Sequence, residues 1–155
     1  MSERRPAPRH QSRRAALQVL YAVDVGARGE AKASAADVFE GVASHFELRG
    51  GAHAFARELA LGVEAHRAEI DGHISACARN WRLERMAAVD RNVLRLATYE
   101  LLHSDTPYTV VIDEAVELAR EFGSEPSPAF VNGVLDAVAR GVRGGEALPP
   151  RGPEA

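Results

Sequence analysis

The stretch Pro107–Asp136, PYTVVIDEAVELAREFGSEPSPAFVNGVLD, decides the fold. Val111, Ile112, Ala115, Val116, Ala119 and Phe122 recur at three- and four-residue steps, the period of a helix with one buried stripe. Asp113, Glu114 and Glu117 fall in its first half and Arg120 near its end, which suits the helix macrodipole. Gly123 offers a left-handed C-terminal cap. Ser127 followed by Pro128 reads as an N-cap with proline in the first turn. Phe130, Val131, Val134, Leu135 and Val138 then continue at helical spacing until Gly141 and Gly144. Two amphipathic helices joined by a short loop result.

Outward from this block the pattern stays helical. Ser12 can cap a helix with Leu17, Leu20, Tyr21 and Val25 on its apolar side, ending near Gly26. Residues 26–33 are a small-residue loop, and Ser34 can cap a second helix striped by Val38, Phe39, Val42 and Phe46. Gly50 and Gly51 break the chain before a long third helix carrying Phe55, Leu59, Val63, Ile70, Ile74 and Cys77. Trp81, Leu83 and Met86 belong to a turn, and Val89–Leu102 forms a helix with Val93, Leu94, Ala97 and Leu101 inward. No segment alternates as a strand would. The expectation is an all-α fold, a single-domain compact bundle of about seven helices over residues 12–143. It lies between a flexible, arginine-rich arm (1–11) and a disordered tail (144–155).

At 155 residues and 46% hydrophobic content the chain can bury a sizeable core. No apolar run approaches membrane-spanning length and no signal core follows the basic N-terminus, so a cytoplasmic location is expected. Cys77 is the sole cysteine and reads as an inert thiol. The net charge is −3, but its distribution is uneven: residues 1–14 hold five arginines against Glu3, a local +4, which leaves −7 for the remainder. A basic arm on an acidic body suits one anionic and one basic partner. Lys32 is the only lysine, so anion binding rests on guanidinium groups.

Catalytic patterns are thin. Glu100 and His103 form one ExxH pair, whereas a di-metal bundle needs a second. His66, Glu69 and His73 span two helical turns and read as a solvated face. No serine sits in a nucleophile elbow and no glycine-rich loop follows a strand. These features point to a non-catalytic binding protein without a cofactor.

Four segments in order, RRAALQVLYAVDV (Arg13–Val25), FARELALGV (Phe55–Val63), VDRNVLRLATYELL (Val89–Leu102) and Pro107–Asp136, resemble the NusB family of bacterial transcription antitermination factors. The resemblance covers nearly all of the chain between its two ends. It implies an all-helical adaptor that pairs with ribosomal protein NusE and binds single-stranded boxA RNA of ribosomal RNA leaders. The pair then helps assemble an antitermination complex on RNA polymerase. Arginines at a helix N-terminus offer forks and backbone donors to phosphate, which makes Arg9, Arg13 and Arg14, with His10 in the same run, the phosphate candidates. Tyr21 and Phe130 match family positions tied to the RNA surface and are the base-stacking candidates, although both also fall on apolar stripes. Asn132 adds a polar contact, and Asp90 is assigned to the NusE-binding surface. Gly133 is expected to permit close helix packing. The chain departs from the family pattern at Pro126 and Pro128, which stiffen the loop before Phe130. Two alternatives stay open: a purely protein-binding scaffold, monomeric or homodimeric, and an RNA-docking domain related to those of RNA methyltransferases.

Overall fold

The computed structural model describes residues 8–26 and 33–144. Among them lie seven α-helices, one 3-10 turn at Leu83–Arg85 and no strand. The helices are α1 (Pro8–Gly26), α2 (Ala35–Ala43), α3 (Ala52–Ala65), α4 (Arg67–Cys77), α5 (Ala88–His103), α6 (Tyr108–Phe122) and α7 (Ser127–Val142).

Helix α5 is the axis. It touches α1, α3, α4, α6 and α7, and every residue from Asn92 to Leu101 is buried. A helix buried on all sides draws most of its polar side chains to protein partners, although the Thr98 hydroxyl has none among the described residues. Arg95 forks onto Asp71 of α4 at 2.9 and 3.1 Å, and Asn92 donates to Asp24 of α1 at 2.8 Å. Glu100 receives Arg13 of α1. The amphipathic pattern accounts for Val93, Leu94, Ala97 and Leu101; the buried polar residues between them depend on neighbouring helices.

Around that axis, α1 packs most extensively on α3. Ala15 and Ala16 on one side and Ala56 and Ala60 on the other are fully buried, and small side chains let the two backbones approach. The hydroxyl of Ser12 donates to the Ala52 carbonyl across this contact at 2.7 Å. Ser12 is therefore an interior residue of α1 rather than its cap. The helix begins at Pro8, where the missing N–H costs nothing, so residues 8–11 belong to the helix and not to the arm. Residues 1–7, 27–32 and 145–155 lie outside the described residues, and with them most of the expected arm and tail.

The single long third helix is two. The chain breaks at His66 (φ −112°, ψ 23°), because α3 must follow α1 and α2 while α4 must reach α5 and α7. Ser34 caps α2 as expected, in a capping box with Asp37. Gly50 takes φ +56°, the left-handed conformation that lets the chain turn before α3. Gly123 does not: its φ is −97°. A side chain there would instead fall 2.6 Å from Ser127 Oγ and 2.8 Å from the Ala119 carbonyl. Ser127 is the buried first residue of α7, and its hydroxyl accepts the Ser124 N–H at 3.0 Å rather than capping its own helix.

Candidate nucleic-acid interface

The predicted site residues of α1 divide between its two ends, while Asp90 lies on α5 and Phe130 and Asn132 on α7. Arg13 pairs with Glu100 and Asp24 with Arg91, so α1 and α5 run antiparallel. Arg9, His10, Arg13 and Arg14 thus lie beside the C-terminal end of α5, and Tyr21 beside its N-terminal end.

Arg13 lies inside the bundle. It is 4% exposed, and its Nε and Nη2 donate to the two carboxylate oxygens of Glu100 at 2.7 and 2.8 Å. Glu114 approaches at 3.8 Å. Burial pulls the Arg13 pKa down, but the Glu100 hydrogen bond and the charges of Glu100 and Glu114 outweigh it and hold the pKa above the ordinary arginine value. A guanidinium so placed braces two helices and offers little surface to a ligand.

The other three basic residues reach the surface. Arg9 is exposed and stacks its guanidinium 3.9 Å over the Phe55 ring; among the described residues no carboxylate pairs with it. His10 Nδ1 lies 2.7 Å from Glu114 Oε1. Arg14 sits between the Phe46 and Phe122 rings and holds Glu121 at 2.8 Å.

Tyr21 and Val25, expected on an apolar stripe, are instead 38% and 45% exposed. Steps of four, four, three and four residues place His10, Arg14, Gln18, Tyr21 and Val25 on one outward face of α1, and none of them is fully buried. Seven residues separate Arg14 from Tyr21, so their backbone positions stand roughly 10 Å apart along one ridge. Core packing does not claim this face because α2, α3 and α5 already cover the others.

Phe130 and Asp90 meet in a second feature. With Trp81, Arg85, Met86, Ala87 and Pro126 they line an open cleft of about 250 Å³. Trp81 is 57% exposed and meets the half-buried Phe130 edge-on, with ring centroids 5.6 Å apart at 72°. Pro126 forms part of the wall, so the departure from the family pattern shapes the cleft directly. Asp90 lies in the first turn of α5, and its Oδ1 is buried without a hydrogen-bond partner. Asn132 and Gly133 are exposed on α7. A side chain at Gly133 would meet no atom within 4 Å, so close helix packing does not explain that glycine. Trp81 and Arg85 carry no surface motif of their own; the sequence signal is a tryptophan flanked by arginines in RNWRLER, residues 79–85.

Fold and surface define a class: all-α bundles that present arginine and aromatic side chains from an outer helix. The NusB family model matches residues 10–140, and the chain belongs to the NusB family. It is 52% identical over 144 residues to the transcription antitermination protein NusB of Anaeromyxobacter sp. (strain Fw109-5), covering 92% of each chain. The structure of T. maritima NusB superposes with a TM-score of 0.75 at 36% identity, over 89% of this chain and 93% of that one. A chain from the crystal structure of antitermination factors NusB and NusE in complex with dsRNA matches with a TM-score of 0.73 at 30% identity, over 86% and 97%. Among the described residues no helix is long and apolar enough to cross a membrane.

Proposed function

We propose that this protein is a transcription antitermination adaptor that works by binding rather than catalysis, in the cytoplasm, where transcription takes place. It pairs with NusE, binds boxA RNA and joins the antitermination complex on RNA polymerase. The observation that carries this reading is family membership over residues 10–140, together with an α1 ridge that exposes Arg14 and Tyr21 on one line. Arg9, His10 and Arg14 contact phosphates, and Tyr21 supplies a stacking platform. Phe130, with Trp81 beside it, supplies a second platform, and Asn132 a polar contact on the adjacent helix. Asp90 belongs to the NusE-binding surface, where the acidic body meets a basic partner. Arg13 acts only by holding α1 in place.

Fluorescence anisotropy of labelled boxA RNA, with and without NusE at two salt concentrations, tests the reading. Tyr21→Ala should weaken binding by about 1–3 kcal/mol if one base stacks on it. Equal affinity for boxA and a scrambled strand would remove the sequence-reading role. A second reading, a protein-binding scaffold without RNA contact, draws on one observation: His10 and Arg14 already hold Glu114 and Glu121. Partner binding that survives Arg14→Ala while RNA affinity stays unchanged would favour it.

A further inference from the structure

Two fragments dismissed separately in the sequence come together in the fold. His66 closes the α3–α4 junction, Glu69 lies in the first turn of α4, and His103 is the last residue of α5. We propose that His66, Glu69 and His103 form a site for a divalent transition metal of the zinc class, which fastens the α3–α4 junction to the end of α5.

The geometry carries the proposal. Glu69 Oε1 lies 3.0 Å from His103 Nε2 and 3.6 Å from His66 Nδ1, so two imidazoles converge on one carboxylate oxygen. The two rings stand 4.2 Å apart, tilted by 33°. One donor atom from each residue falls within 4.8 Å of the others. Ligands at about 2.0–2.2 Å around a tetrahedral ion lie roughly 3.3 Å apart, so small side-chain rotations close the set. All three residues are exposed, which leaves that rotation free and the site open to a metal from solvent.

The scaffold around the set is fixed. Tyr99, one turn before His103, places its ring 5.1 Å from His103 and 6.0 Å from His66. Tyr99 is itself held in place, because it is buried and lodges where a side chain on Gly62 would lie. His66 meets Glu69 as a local i,i+3 neighbour, while His103 reaches the same oxygen from the end of α5, so the tertiary fold adds the second imidazole. Two nitrogen donors and one carboxylate suit zinc, cobalt, nickel or copper, whereas magnesium and calcium favour all-oxygen sites. Three protein ligands leave a coordination position for water.

The test is titration of the full chain, stripped with a chelator, using zinc by calorimetry and cobalt(II) by its visible absorption. One metal per chain is expected, with a raised melting temperature and no response to magnesium. His103→Ala and Glu69→Gln should each weaken binding by at least ~10-fold, the lower end of what even outer-shell partners cost. His45→Ala, an exposed histidine elsewhere, should leave affinity unchanged. Glu69→Gln preserves side-chain volume, so it reports on the site even where an alanine variant fails to fold. No binding near one equivalent, or zinc affinity unaltered in Glu69→Gln and His103→Ala, overturns the proposal.

Discussion

Arg13 and Glu100 meet inside the bundle as a two-pronged ion pair at 5% and 2% side-chain exposure. Removing one partner of such a pair strands the other charge in a low-dielectric interior. Arg13→Ala should therefore cost about 3–5 kcal/mol in denaturant unfolding. Arg14→Ala, which breaks a half-exposed pair with Glu121, should cost only about 0–1 kcal/mol. Comparing the two variants separates loss of fold from loss of RNA contact. Asp24 gives a pH signature. Burial pushes its carboxyl up, but hydrogen bonds from Arg91 and Asn92 and the charges of Arg91 and Arg95 outweigh it and hold the pKa below the ordinary carboxylate range. A depressed folded-state pKa means that this stabilisation is complete above the unfolded value of about 3.9 and is lost as pH falls through the folded one. Urea midpoints measured from pH 7 down to pH 3 should fall at the acid end, and less steeply in Asp24→Asn. Gly62 is fixed by contact rather than by backbone angle, since an added methyl would overlap the Tyr99 ring. Gly62→Ala should destabilise by about 1–3 kcal/mol, read as a lower melting temperature.

At the scale of elements, α5 and α1 divide the work. The last turn of α5 leaves carbonyls without helical partners. Arg143, just past α7, ties that end of α5 to the loop after it: its guanidinium donates to the carbonyls of Glu100 and Leu101 in the helix and of Ser104 and Thr106 beyond it, at 2.9–3.2 Å. Arg143→Ala should lower stability by about 1–3 kcal/mol, because several acceptors lose a partner at once. Faster amide exchange in the last turn of α5 would locate the effect. Helix α1 buries one side against α2, α3 and α5 and leaves the His10–Val25 ridge outward. Tyr21→Ala on that ridge should weaken RNA binding with little change in melting temperature, since a partly exposed ring contributes little packing.

For the whole molecule the deciding quantity is charge placement. The basic N-terminal segment stands against a body of net −7. If Arg4, Arg5, Arg9 and Arg14 neutralise three or four phosphates, log affinity should fall with log salt at a slope of roughly −2 to −3. If NusE binds the acidic face as proposed, it should raise RNA affinity by adding its own contacts and screening that face. A flat salt response would assign the arginines to structure alone. Under the proposed RNA contacts, Glu114 and Glu121, which pair with His10 and Arg14, would compete with phosphate for those two side chains.

The sequence by itself determined the helical character, the positions of α1, α2, α5, α6 and α7 within a few residues, the Ser34 cap and the family, because period and capping chemistry are local. The Pro107–Asp136 block alone predicts two helices, and α6 and α7 lie where it placed them. Tertiary structure decided whatever depends on which face a neighbour covers. Arg13 and Arg14 are adjacent and chemically identical, yet Glu100 takes the first into the core and the second stays at the surface. Tyr21 falls on an apolar spacing, yet it stays 38% exposed. His66, Glu69 and His103 are separated by up to 37 positions and become one cluster only when α3 breaks and α4 turns back onto α5. Periodicity reports that a helix has an inner side; only packing settles which polar residues are drawn in with it.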